Sequence, residues 1–326
     1  MKLLRLYLRL LSAKGLGAKK VKRLISHIES LENFSENKAS EVLGKELAKT
    51  VSEALKREWI YEEEVLEILR KHDIRAVTLE EELYPKSLRA IDDSPPILFY
   101  KGELPKEVIG IVGTRNPSEI SLKVVEKLVK EKGKDVISGG ARGIDSRAHY
   151  EALKNGFKTF VVLGSGILRV PFGVKRLFEE NKEKVSLISE FLPFQRASRY
   201  TFPRRNRIIA ALSEEIFVIE AGKRSGALIT ARYAVKYKKP LYAYVGDESS
   251  DRWEGCLSLI KNGLAKRYEP NDQKGESELL DFLKKPRTYD EVAVFLGLSR
   301  SEALKILSKL MIKGLVKKEG AHYVSC

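Results

Sequence analysis

Glutamine is nearly missing from this chain of 326 residues, with only Gln195 and Gln273. Against 60 Lys and Arg and 45 Asp and Glu, that shortage fits a heat-adapted source. Cysteine is as scarce. Cys256 and Cys326 make neither a disulfide framework nor a metal cluster, as expected of a reducing compartment. No stretch approaches the ~18 apolar residues of a membrane span. The opening MKLLRLYLRLLSAKGLG is broken by Lys2, Arg5 and Arg9 and lacks the uncharged core of a signal peptide. A cytoplasmic chain with no membrane partner is therefore expected. Catalytic signatures are missing too. Ser165 lies in G-S-G rather than in a G-x-S-x-G elbow. There is no G-x-x-x-x-G-K-[ST] phosphate loop, no complete G-x-G-x-x-G with its acidic follower, and no P-G-G-x-G-T signature of a Rossmann-type nucleotide lyase. The four histidines are His27, His72, His149 and His322, and of these His149 is spaced i, i+4 from Asp145. The pair reads either as two ligands of one metal or proton, or as a helix cap and a packed ring. No third ligand is near, so neither metal nor cofactor is expected.

What is abundant is positive charge. The net charge of +15 points to a polyanionic partner, with solubility as the alternative. Three segments share it unequally. Residues 1–73 carry 15 bases and 12 acids, residues 74–270 carry 35 and 25, and residues 271–326 carry 10 and 8. The excess is concentrated in the middle. Acids are absent from Ala152 to Phe178 and from Ala221 to Gly246, whereas bases recur in both windows.

The three segments also differ in pattern. Residues 1–73 read as helical, and SAKGLGAKKVKRLISHI places a Gly15-Leu16-Gly17 turn before a basic helix. That turn fits a helix-hairpin-helix or SAM-like module whose amides meet a phosphate, or an ordinary turn between packed helices. Residues 74–270 alternate strand and helix. Apolar runs at 108–113, 135–138, 159–164, 185–189, 215–221 and 241–246 alternate with helical patterns at 119–132, 144–156, 203–213 and 225–237. Strands of Val and Ile without in/out alternation belong to a parallel sheet covered on both faces. The expected fold class is α/β, an extended Rossmann-like doubly wound parallel sheet with a peripheral strand at 97–100. Residues 271–326 read as a winged helix: ESELLDFLKK, two helices opened by the capping boxes Thr288/Glu291 and Ser299/Glu302, then a hairpin. Its near-neutral charge argues against strong phosphate binding there.

The predicted strands end in small residues: VGTRNPS, SGGARGID, LGSGI and EAGKRSGALIT. Such loops let backbone N–H groups approach a ligand, a design suited to phosphate, although parallel sheets need tight turns anyway. Arg115, Arg142 and Arg224 lie inside them. In YTFPRRNRIIAAL, residues 200–212, Pro203 marks a helix start. Arg204, Arg205 and Arg207 crowd its first turns, where the helix dipole disfavours cations. No acid occurs from Phe191 to Ser213 to offset them.

VGTR, SGGARGIDSRAH, FPRRNRIIAALS and VIEAGKRSGALITARYA, in this order, resemble the DprA/Smf family, the DNA-processing proteins of natural transformation and competence. The resemblance runs from about Tyr84 to Gly263. It implies a single-stranded DNA-binding protein without catalytic activity. Such a protein dimerises through its Rossmann-like domain, protects strands and loads the RecA recombinase. The G-x-R loop maps to Gly113, Thr114 and Arg115. The F-x-x-R-N-R motif maps to Phe202, Arg205, Asn206 and Arg207, the phosphate-facing turn to Ser225, Gly226 and Thr230, and a helix base to Lys175. Arg115, Lys175, Arg205 and Arg207 are expected to line a groove, with helix starts near Gly140 and Ser225 donating N–H groups and Arg142 close by. Phe202 either stacks on an unpaired base or staples the helix; Asn206 either reads a base edge or caps backbone. The chain departs from the family pattern where GILRVPF (166–172) lacks an Asp and a Tyr, and where VGDESSDRWEGCLSLIKNG (245–263) replaces a P-G strand ending. Two other readings stay open: an enzyme acting on a nucleotide phosphate, and a winged-helix transcription regulator.

Overall fold

The computed structural model describes residues 2–57, 60–270 and 278–326, in two compact units, 1–268 and 269–326. The first unit opens with five helices: α1 (Lys2–Leu10), α2 (Ala18–Ile28), α3 (Glu36–Leu43), α4 (Lys45–Lys56) and α5 (Glu62–Lys71). Their apolar faces close a core around Tyr7, Leu8, Leu24, Val51 and Val65, which is continuous with the core beneath the sheet. Glu62 is held in this module by Arg5 and Arg9, each at 2.7 Å.

A nine-stranded sheet follows: β1 (Arg75–Thr78), β2 (Ile97–Lys101), β3 (Val108–Gly113), β4 (Asp135–Gly139), β5 (Thr159–Val162), β6 (Val185–Ser189), β7 (Glu215–Ile219), β8 (Leu241–Tyr244) and β9 (Lys266–Arg267). The order is β1-β2-β6-β5-β4-β3-β7-β8-β9. Every pairing from β6 through β9 is parallel, and β2 joins β6 antiparallel, as β1 joins β2. The apolar runs are therefore strands of a large, mostly parallel sheet, and the segment at 97–100 is peripheral, as its sequence implied. The helices are α6 (Lys86–Ala90), α7 (Glu119–Lys132), α8 (Ile144–Lys154), α9 (Phe172–Glu180), α10 (Thr201–Leu212), α11 (Ala227–Lys236) and α12 (Glu254–Lys261). Along β3, Ile109 and Ile111 join the core under α7 and α8, whereas Val108 and Val112 join the core that also takes Ile208 of α10 and Ala231 of α11. That two-sided burial is why these strands lack alternation.

Chain order reverses between β3 and its neighbour β7, which makes the gap beyond their carboxyl ends the switch point of the sheet. The first turn of α10 begins at Thr201 rather than at Pro203.

In the second unit, residues 278–282 and the stretches Tyr289–Leu296 and Arg300–Ile312 are helical. Strands β10 (Arg287–Thr288), β11 (Val316–Glu319) and β12 (His322–Ser325) form an antiparallel sheet in the order β10-β12-β11. Both expected capping boxes are formed, at Thr288/Glu291 and Ser299/Glu302. The first residues of the helix expected in ESELLDFLKK, and the boundary expected at 271, lie outside the described residues.

Candidate functional site

A cleft of about 960 Å³ opens at the switch point. Its walls are the loop after β3 (Gly113, Thr114, Arg115, Asn116), the start of α10 (Phe202, Pro203, Arg205, Asn206) and the turn after β7 into α11 (Gly222 to Ala227, with Thr230). Ala141 comes from the loop after β4, Asp145 from the first turn of α8, and Arg252 from the segment before α12. The lining holds six basic side chains and two acidic ones, Asp145 and Glu220. Two helices, α10 and α11, open on it with their positive ends, and neither has an acid in its first turn.

The basic side chains divide into two kinds. Arg115 and Arg224 are exposed and have no ion-pair partner among the described residues. Lys223 pairs with Glu254 at 3.1 Å. Arg252 donates from Nε to Glu220 at 2.7 Å and from Nη2 to the Asn116 carbonyl at 2.6 Å, stitching the β3 and β7 loops together. Burial would raise the Glu220 carboxyl. Donors from Ser121 (2.6 Å), from the Ser118 amide and hydroxyl, and from Arg252 outweigh that and hold it below the usual carboxylate range. Glu220 itself sits at φ +53, a strained backbone for a side chain of its size, with its carbonyl accepting from the Thr114 amide at 2.9 Å.

Arg205 is buried. Its Nη1 donates to the Val162 carbonyl and its Nε to Asn206 Oδ1 at 3.0 Å. A Cβ on Gly139 would lie 2.7 Å from Arg205 Nη2 and 2.5 Å from Asp145 Oδ2, so glycine is required where the guanidinium and the carboxylate meet. Burial pushes the guanidinium pKa down while Asp145 opposes it; burial lifts the Asp145 carboxyl to about 6, with Arg205 opposing. His149 lies in the same buried layer. It bonds Thr159 Oγ1 at 2.6 Å and the Gly139 carbonyl at 2.8 Å, and burial depresses it to about 4.

Phe202 stands at the mouth, 38% exposed. One edge rests on Gly164, where a Cβ would come within 2.6 Å of the ring. The guanidinium carbons of Arg115 and Arg205 each lie 6.0 Å from its centroid. Asn206 Nδ2 reaches the Gly226 carbonyl at 3.4 Å, spanning α10 and α11.

The structure thus brings Gly113, Thr114, Arg115, Phe202, Arg205, Asn206, Ser225, Gly226 and Thr230 to one cleft. Gly140, Arg142, Lys175 and Arg207 do not line it. Arg142 and Lys175 are exposed elsewhere, and Lys175 lies 3.7 Å from Glu179. Arg207 points to the other side of α10, 2% exposed, with Nη2 on Glu190 Oε2 at 2.7 Å and Nε 3.4 Å from Asp93. Arg204 reaches the same Glu190 oxygen at 2.9 Å. The acid that α10 lacks nearby stands one residue before the acid-free window. Sequence reasoning left Arg199, Glu220 and Arg252 out of the site; Arg252 lies in the very stretch that departs from the family pattern.

No group of three or more His, Cys, Asp or Glu able to hold a metal occurs among the described residues, and no helix there is long and apolar enough to cross a membrane.

Fold and cleft define an α/β protein of the Rossmann-like class with a predominantly basic cleft at its switch point. The chain belongs to the DprA/Smf family: the sequence profile of DNA recombination-mediator protein A matches residues 75–277. Protein Smf of Synechocystis is 35% identical over 77% of this chain and 66% of its own length. DNA processing protein DprA of Streptococcus pneumoniae is 38% identical over 56% of this chain and 67% of its own. The X-ray structure of DprA from Streptococcus pneumoniae superposes with a TM-score of 0.70 at 30% identity, covering 81% of this chain and 94% of that one. DNA processing protein A from Helicobacter pylori, described for its single-stranded DNA binding mode, gives 0.53 at 25% identity over 64% and 96%.

Proposed function

We propose that this chain binds single-stranded DNA along the switch-point cleft, protects the strand and promotes RecA loading in recombination. One observation carries the reading: exposed Arg115 and Arg224, without ion-pair partners among the described residues, line the same cleft as the half-buried ring of Phe202. Cations neutralise phosphates and the ring offers a base a stacking surface, the combination that single strands use. The relative from Helicobacter pylori, described for such binding, supports it.

In this reading Arg115 meets a phosphate and Phe202 stacks. Gly113, Thr114, Ser225, Gly226 and Thr230 let the backbone approach, while Arg142, Lys175 and the turn at Gly140 serve flanking phosphates. Arg205 positions Phe202 and Asn206 from beneath, and Arg207 belongs to the fold. In this reading the site binds and does not react, and its two carboxylates serve the architecture: Glu220 with Ser118, Ser121 and Arg252, Asp145 beside Arg205. The chain works as a homodimer through its Rossmann-like domain, and the second unit is a winged helix that contacts protein.

Thermal shift tests the class of ligand. A ligand at ~100 times its Kd adds about 2.7 kcal/mol of stability. Short single strands should raise the Tm and mononucleotides should not; stabilisation by mononucleotides alone would replace this reading with the nucleotide enzyme. Removing residues 269–326 should leave most strand binding, whereas its complete loss would favour a winged-helix regulator.

A further inference from the structure

Two basic helix starts of the first unit, those of α10 and α2, differ in how their charge is met. On α10, Arg204 and Arg207 are neutralised from within by Glu190 and Asp93. On α2 nothing of the kind occurs. The first 28 residues contain eight bases and no acid. Lys2 pairs with Glu32, Arg5 and Arg9 pair with Glu62, and Lys22 donates to the carbonyls of Arg89 and Ile91 at 2.6 Å each. Four remain without a partner from another element: Lys14, Lys19, Arg23, and Lys20, whose Nζ donates only to the Gly15 carbonyl in the preceding turn at 3.1 Å. All four are exposed, and none has an acidic partner among the described residues. Lys19 and Arg23 stand i, i+4 on one face, a like-charge spacing that costs a few tenths of a kcal/mol.

This face borders a groove of about 520 Å³ whose lining includes Lys19, Lys22, Arg23, Ser26 and His27. Val42 is its one apolar side chain and Asp92 its one carboxylate, with Lys236 Nζ 3.9 Å from the latter. Protein interfaces centre on buried aromatic or aliphatic anchors, which this groove lacks. It has the composition of a surface for a phosphate chain. Lys22 also ties α2 to the end of α6, next to Asp93, which meets Arg207 on α10, the helix that carries Phe202.

We propose that Lys19, Lys20 and Arg23, with Lys14 beside them, form a second phosphate track that takes the sugar–phosphate backbone of a DNA strand beyond the cleft. The track has no aromatic side chain, so it reads charge and not bases. The proposal rests on the DNA-binding reading of the cleft and adds a site that lies outside the family-matched residues 75–277.

The test uses the full chain and its Lys19→Gln/Lys20→Gln/Arg23→Gln variant, with single strands of about 8 and about 40 nucleotides, the shorter being within the range of one compact binding site. Removing three phosphate contacts should lower the salt slope for the long strand by about 2. Between 50 and 200 mM salt the wild type should then lose roughly 20-fold more affinity for the long strand than the variant does. The short strand should bind both proteins alike. The variant should melt at or above the wild-type temperature, since it sheds unpaired like charges. An unchanged slope for the long strand overturns the proposal, as does an equal loss for both lengths, or loss with an acidic peptide in place of DNA. If the wild type binds neither strand, the cleft reading itself fails; if Arg115→Ala weakens the short strand while the triple variant changes nothing, this track alone fails.

Discussion

Replacing Arg207 by alanine separates an arginine of the fold from an arginine of the site. Its guanidinium is 2% exposed and Glu190 is 1% exposed, with 2.7 Å between Nη2 and Oε2. Truncation would leave a carboxylate in the interior, and breaking a buried pair from one side costs about 3–5 kcal/mol. Arg204 still reaches Glu190 from a largely exposed position, which offsets roughly 1 kcal/mol. Asp93 keeps its hydrogen bond from Tyr237 Oη at 3.1 Å and loses little. The net expectation is a loss of about 2–4 kcal/mol, which for a unit of this size is a Tm lower by roughly 5–15 °C. A double replacement, Glu190→Met with Arg207→Met, should recover most of it, because an apolar pair of similar volume removes both buried charges together. Calorimetry reads the stability, and strand binding is measured well below the transition. Folded Arg207→Ala should bind single strands nearly as the wild type does. A variant that melts within about 2 °C of the wild type yet loses strand affinity would refute the assignment and return Arg207 to the DNA.

Two further outcomes follow from the cleft. Phe202→Ala should cost about 1–3 kcal/mol of single-strand binding and leave duplex binding and the Tm almost unchanged; a large fall in Tm would show that the ring serves the core. His149 is depressed to about 4, so its contribution to stability is full above its ordinary value near 6.5 and is lost as pH falls through 4. Asp145, lifted to about 6, acts with the opposite sign: its contribution is present below about 3.8 and is lost as pH rises through 6. The wild type should therefore change little from this pair between pH 6.5 and 4. His149→Gln keeps Asp145 and removes the imidazole, so it should gain on the wild type as pH falls, by up to about 3 kcal/mol at pH 4 in denaturant titrations. A gap that does not vary with pH contradicts the buried neutral ring.

The strands β3 to β7 were legible because each is a short apolar run containing Val or Ile and followed by small residues, a local property; β8, LYAY, was legible as an apolar run after Pro240. Strand order was not. Nothing in the sequence near Val108 or Glu215 says that these strands are neighbours, and that adjacency is what creates the switch-point cleft. The site loops were legible for the same reason as the strands. The roles of the arginines were not, because they depend on an acid in another element. Glu190 lies 17 residues before Arg207, and only the fold, which brings the residue after β6 beside α10, puts them together. Arg205 looked like a free cation in a first turn, but Gly139 leaves room for it to sink beside Asp145. Arg252 was hidden in a stretch of unfamiliar sequence, and its role rests on Glu220, whose unusual backbone no local signal announces.

The most direct measurement is the salt dependence of binding of a short single strand to the full chain, to Arg115→Ala, and to a duplex of the same sequence. The account predicts tighter binding of the single strand than of the duplex. It also predicts an affinity that falls linearly with the logarithm of salt, and a slope smaller by about 0.7 in Arg115→Ala. Binding that ignores salt, or an Arg115→Ala variant with the wild-type slope and affinity, would contradict a phosphate strand in the switch-point cleft.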